Sequence, residues 1–215
     1  MKNHKTSQLQ AILTAIFVGA LLISNIIAAK QFQLPFGITM TGAVLIFPVT
    51  YILSDLFSEV YGYRWSRITC YTAFAMNVVM AIVFALAIAT PAPGYWQNQE
   101  AFRTVLGNTP RILGASLLAF IAGDFVNDRV FRRMKAKHPD THKGFSTRAI
   151  LSSMCGAIID SSIFIPIAFI GQMPTNVLIT MGITQVGLKL LYELIVLPLN
   201  RYITIKVADY EAAQG

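Results

Sequence analysis

The chain has 215 residues and a mass of 23.7 kDa, with 55% apolar but only 13% charged residues. A soluble domain carries about 25% charged residues, so an ordinary soluble domain is excluded. Disorder is excluded too, because it requires low hydrophobicity and high charge. The cysteines, Cys70 and Cys155, sit in apolar runs and make no disulfide scaffold. The net charge of +7 could suggest nucleic acid, but the placement of the basic residues argues against it.

Long charge-free runs separate Lys5 from Lys30, Lys30 from Asp55, Arg67 from Glu100 and Asp160 from Lys189. About 20 predominantly apolar residues cross a bilayer as a helix. Two further apolar segments are each interrupted by a carboxylate. Six spans are predicted, at 9–29, 39–60, 67–90, 111–131, 148–171 and 176–203. Little sequence remains, so the expectation is one all-α transmembrane domain over 1–215 with no soluble module, repeat or low-complexity tract. Lys2 and Lys5 before the first span resemble a signal-peptide start. That apolar run is too long, however, and Ile27-Ala28-Ala29 is a poor cleavage site, so it reads as a retained helix. Lipid offers backbone groups no partner, so every span is expected to be helical. Pro48, Pro166 and Pro198 fall inside spans two, five and six, where each is expected to kink its helix. The outer loop, 91–110, carries Pro91, Pro93, Tyr95 and Trp96, as a turn with an interfacial belt would.

With the N-terminus inside, 13 basic residues fall in cytoplasmic segments: Lys2, Lys5, Arg64, Arg67, Arg129, Arg132, Arg133, Lys135, Lys137, Lys143, Arg148, Arg201 and Lys206. Only Lys30, Arg103 and Arg111 fall outside. This bias places both termini in the cytoplasm. It also accounts for the basic balance without nucleic acid, with the run Arg129–Lys137 facing anionic lipid.

Ionisable groups inside spans are costly and mark function or specific pairing. Asp55, Glu59, Asp124, Asp128, Asp160, Lys189 and Glu193 qualify. Asp55 and Glu59 share one helix face, as do Asp124, Asp128 and Arg132. This inner layer is either an interfacial ion-pair network, with Arg64, Arg67, Arg129 and Arg132 as counter-charges, or an inner gate or docking surface for an energising partner. A second layer lies at mid-depth. Asp160 sits about 16 Å below the outer end of its span and Lys189 about 20 Å below the outer end of its own. Gln185, Lys189 and Glu193 make a polar stripe at intervals of four, and Asn25 and Asn77 add amides. Thr41, Phe47 and Thr50 lie in the same zone. This layer is either a structural Asp160–Lys189 pair or a small-solute site. The solute site is favoured, because a buried pair contributes little net stability.

Enzyme chemistry has little support. His4, His138 and His142 lie in the tail and the inner loop, and neither HExxH nor GxSxG occurs, so neither a metal site nor a cofactor is expected. An intramembrane aspartyl protease is the best enzyme alternative, but Ile121-Ala122-Gly123-Asp124 lacks the first glycine of the usual GxGD. The string Gly123…Asp128-Arg129…Arg132-Arg133 has the wrong spacing for the inner-loop motif of major-facilitator transporters. No Walker motif is present, so any ATP hydrolysis would come from another chain.

Five patches carry a family resemblance over about 40–200: Phe47-Pro48 with Ser54-Asp55 and Tyr61-Gly62; Ala115-Ser116 through Gly123, Asp128, Val130-Phe131 and Arg133; Gly156 with Asp160 and Phe164; Lys189; and Leu197-Pro198. In this combination the chain resembles the queuosine precursor transporters, also called the vitamin uptake transporter family. The resemblance implies import of a 7-deazaguanine, such as 7-cyano-7-deazaguanine or its aminomethyl analogue. It also implies a six-helix shape similar to the substrate-binding subunits of energy-coupling-factor vitamin transporters. A homo-oligomer or an energising module is the expected protein partner, alongside the lipid bilayer. The expected substrate contacts are Asp160, Lys189, Gln185, Glu193, Asn77 and Asn25, with Phe47 or Phe164 offering an aromatic face.

Overall fold

A computed structural model describes residues 7–35, 38–137 and 145–214. The sequence expectations at Lys2, Lys5, His4, His138, His142 and Lys143 lie outside the described residues. In chain order the elements are α1 (Gln8–Ile27), β1 (Gln31–Gln33), β2 (Thr39–Thr41), a 3-10 turn (Gly42–Leu45), α2 (Phe47–Leu56), a π-helical segment (Phe57–Tyr61), α3 (Tyr63–Ala89), α4 (Gln99–Leu106), α5 (Thr109–Lys137), α6 (Phe145–Phe169) and α7 (Thr175–Gln214). Among the described residues, five stretches are long and apolar enough to cross a membrane: Gln8–Ile27, Arg64–Ala89, Gln99–Asn127, Ile150–Phe169 and Thr175–Val196. Large apolar side chains stay exposed along them, including Ile12, Ile16, Val79, Ile82, Leu86, Leu118, Ile183 and Leu194. Water does not tolerate such continuous apolar surface, whereas lipid tails solvate it.

The chain divides into two compact units. The first comprises Met1–Lys30, Thr41–Pro110 and Glu193–Gly215. Helix α1 begins at Ser7, whose Oγ accepts the Gln10 N–H at 2.9 Å and so caps the helix. Its inner face packs Phe17 edge-on against Phe57, with ring centroids 6.2 Å apart. Phe57 and Leu56 are fully buried and anchor the end of α2.

The expected second span, 39–60, is not one continuous helix. It opens as strand β2 and a 3-10 turn, becomes helical only at Phe47, and loosens into the π segment after Leu56. Pro48 is the physical reason for the late start. It sits in the first turn of α2, where its missing N–H deprives no carbonyl of a partner. It therefore starts a helix, where a kink within one was expected. Gly62 then ends the π segment at φ 81° and ψ 163°, a region that only glycine enters at low cost, and α3 starts directly after it.

The second unit comprises Gln31–Met40 and Arg111–Tyr192. Strands β1 and β2 form a two-stranded hairpin. Helix α6 contains Pro166 and ends near Gly171, which has φ 82°. Arg111 on α5 donates through Nε to the Ile167 carbonyl and through Nη2 to the Ile170 carbonyl, both at 2.6 Å. A cation thus satisfies carbonyls at the negative end of the helix. Helix α7 contains Pro198 and extends to Gln214, well beyond the expected end at 203. The expected outer loop, 91–110, contains the short helix α4, with Gln99 Nε2 donating to the Ile88 carbonyl at 3.0 Å.

Candidate functional site

Each polar candidate is placed by the helix that carries it. In the second unit, the Lys189 ammonium on α7 donates to Oδ2 of Asp160 on α6, a close salt bridge. The exposure of the two side chains differs: 7% for Lys189 and 24% for Asp160. The lysine is committed to the pair, while the carboxylate keeps an open side. An ionised carboxylate has about four lone-pair sites. Asp160 therefore retains acceptor capacity on both oxygens with the lysine in place.

The position of Asp160 is fixed by two glycines. A Cβ on Gly123 of α5 would stand 3.0 Å from the Asp160 Cβ and 3.0 Å from the Gly156 carbonyl oxygen. A Cβ on Gly156 of α6 would stand 3.0 Å from the Gly123 carbonyl oxygen and 3.0 Å from the Asn127 Cβ. The helices thus meet backbone to backbone, as small residues permit in membranes, one turn before the carboxylate.

Phe164 follows Asp160 by one turn and is buried, with its ring edge-on to Phe169 at 6.0 Å. Gln185 and Glu193 flank Lys189 one turn to either side on α7, and both are half-buried. Glu193 is engaged by a neighbouring group. Ser161, next to Asp160, is 1% exposed, and its Oγ has no hydrogen-bond partner among the described residues. An unsatisfied buried polar group costs about 1–3 kcal/mol.

In the first unit, Asn25 and Asn77 are engaged with each other. Asn25 Nδ2 donates to Asn77 Oδ1 at 2.6 Å, and Asn77 Nδ2 donates to the Ala73 carbonyl at 2.8 Å. Asn77 is fully buried, so these amides tie α1 to α3. Thr41 and Thr50 are buried. The side chains of Phe47, Asp128 and Arg132 lie outside the described residues. Of the remaining inner-layer candidates, Asp55 and Glu59 are exposed and Asp124 is half-buried. Asp55 and Asp124 are each engaged by a neighbouring group. Arg129 lies over the Phe125 ring, 6.0 Å from its centroid.

Sequence reasoning missed a cluster at the ends of the chain. Glu211 Oε1 accepts from Tyr61 Oη at 2.8 Å and from Ser7 Oγ at 2.5 Å. The α1 cap, the π segment and the end of α7 thereby share one carboxylate oxygen. Burial raises the Tyr61 phenol well above its ordinary range, and the bond to Glu211 raises it further. A phenol raised in the folded state stabilises fully below its unfolded value of about 10, and that contribution is lost as pH rises through the folded value. Tyr61→Phe is expected to cost about 1.5–3 kcal/mol, the worth of a hydrogen bond to a charged acceptor. Melting in detergent checks this: the deficit should hold from neutral pH to about pH 9 and shrink only above about pH 10.

The family model described as "Putative vitamin uptake transporter" matches residues 41–203. A protein of Bacillus subtilis (strain 168) named "Probable queuosine precursor transporter" is 25% identical over 184 residues, covering 85% of this chain and 80% of its own length. No solved structure matches. The match at 41–203 takes in Asp160, Lys189 and both glycines of the helix contact, and the chain belongs to the vitamin uptake transporter family.

Proposed function

We propose that this protein imports a 7-deazaguanine precursor of queuosine, such as 7-cyano-7-deazaguanine or 7-aminomethyl-7-deazaguanine, across a bacterial inner membrane. The observation that carries the reading is the Asp160–Lys189 pair, a carboxylate with an open side held by a nearly buried lysine. A guanine-like edge presents adjacent N–H donors, which the carboxylate accepts, and Phe164 supplies an aromatic surface one turn away. The name of the Bacillus relative supports the same substrate class. Gln185 and Glu193 extend the polar stripe on α7. A six-span arrangement with both termini in the cytoplasm accompanies this reading. A C-terminal reporter should be active only on the cytoplasmic side; periplasmic activity would overturn it.

Uptake of labelled 7-cyano-7-deazaguanine by cells unable to make deazaguanines tests the substrate directly. Accumulation should depend on this protein and be competed by excess unlabelled aminomethyl analogue. The family description favours a second reading, uptake of another vitamin-like solute; any ATP hydrolysis in that case would come from a separate chain, because this sequence has no Walker motif. Failure of deazaguanine uptake in cells that contain the folded protein would select that reading.

A further inference from the structure

We infer that Ser161 is a specificity-determining residue of the substrate site, donating its hydroxyl to a ring carbonyl adjacent to the N–H groups that Asp160 accepts. The inference rests on the deazaguanine reading and deepens it. Hydroxyls inside helices commonly satisfy themselves by donating to the carbonyl four residues earlier. In this chain Thr14, Thr104 and Thr180 do so, to Gln10, Glu100 and Asn176, at 2.7–2.9 Å. Thr90 does the same to Leu86 at the end of α3. Ser161 does not, although it lies in the middle of α6 and is 1% exposed. Ser152, another buried serine of α6, is engaged by a neighbouring group.

The position of the unsatisfied hydroxyl gives it a use. Asp160, Ser161 and Phe164 stand at i, i+1 and i+4 on α6, a compact triangle of helix surface. One corner is an acceptor, one a donor and one an aromatic ring. The backbone contact of Gly123 with Gly156 holds the carboxyl corner in place. A carboxylate can only accept, whereas a hydroxyl can donate. Together they complement a cyclic amide, in which ring N–H and C=O lie side by side. A 2-amino-6-oxo heterocycle presents this edge. A 6-thioxo analogue keeps the ring N–H for Asp160 but offers Ser161 only a weak sulfur acceptor at that position.

The test compares wild type, Ser161→Ala and Ser152→Ala in the uptake assay, with melting of each purified protein. Labelled 7-cyano-7-deazaguanine is the substrate, and its 6-thioxo analogue, which keeps the ring N–H, is the competitor. Ser161→Ala should melt at or above wild type, because it removes a hydroxyl that folding leaves unsatisfied. Its KM for the 6-oxo substrate should rise about threefold to tenfold, as for loss of one neutral hydrogen bond. Inhibition by the 6-thioxo analogue should change little. Ser152→Ala should show the converse, lower melting with unchanged discrimination. An unchanged KM, an equal loss for both compounds, or a fall in melting or failure to fold of Ser161→Ala would each overturn the role of Ser161 alone. No deazaguanine uptake by wild type would instead remove the functional reading, and the Ser161 assignment with it.

Discussion

Asp160→Asn is expected to weaken substrate binding tenfold or more. The change preserves volume but replaces an acceptor oxygen with an N–H₂ donor and removes the charge facing Lys189. Loss of a charge-assisted hydrogen bond costs about 1.5–3 kcal/mol, and about 1.4 kcal/mol is a factor of ten. Lys189→Met should also weaken binding. It leaves the carboxylate of Asp160, the less buried of the two, without its counter-charge, and removing one partner of a buried pair costs about 3–5 kcal/mol. The double variant with apolar groups of similar volume separates binding from structure, because well-packed replacements of a buried pair are often neutral or stabilising. Recovery of folding with uptake still lost identifies the pair as the substrate site. Recovery of both would make it a structural tie between α6 and α7.

Gly123→Ala and Gly156→Ala carry the second large effect. Each new methyl would meet a carbonyl oxygen of the facing helix at 3.0 Å, and backbone cannot rotate aside as a side chain can. Overpacking of this kind costs about 1–3 kcal/mol. The Gly123 variant should lower uptake more than its loss of stability explains, because its methyl also meets the Cβ of Asp160. The Gly156 variant meets Asn127 in place of the carboxylate-bearing residue, and its uptake should follow its stability. Since both methyls push the same two helices apart, the double variant should cost less than the sum of the singles. Melting and uptake measured on all three variants check this, and strict additivity would show that the two sites relax independently.

Long apolar helices are the part of this architecture that composition reveals. Spans predicted at 9–29, 67–90, 111–131, 148–171 and 176–203 correspond to α1, α3, α5, α6 and the first part of α7. A charge-free run measures how long a segment can stay in lipid but carries no information on its backbone. For that reason 39–60 read as one helix, although Pro48 had marked where the helix begins. The Asp160–Lys189 pairing was legible because helix rise converts residue number into depth, and the two residues came out at similar levels. The Asn25–Asn77 bond was visible only as two amides, since nothing in residue type shows that they would satisfy each other. The Glu211 cluster was not legible, because it joins residues 204 positions apart. Gly156 entered only through family resemblance, and Gly123 otherwise only through two motif comparisons that it failed. The small residue one turn before an intramembrane carboxylate, Gly156 before Asp160, is the signal that would have marked their contact.

The salt bridge on α6 and α7 also has an electrical meaning. A single elementary charge moved across a membrane exchanges about 2.3 kcal/mol with each 100 mV of potential. Asp160 and Lys189, joined as they are, form a unit without net charge. The membrane voltage therefore does no net work on that unit when it is displaced as a whole along the bilayer normal. Carrying the carboxylate together with its own counter-ion means that a shift of this part of the molecule along the bilayer normal would neither draw on, nor be held back by, the resting potential of the cell.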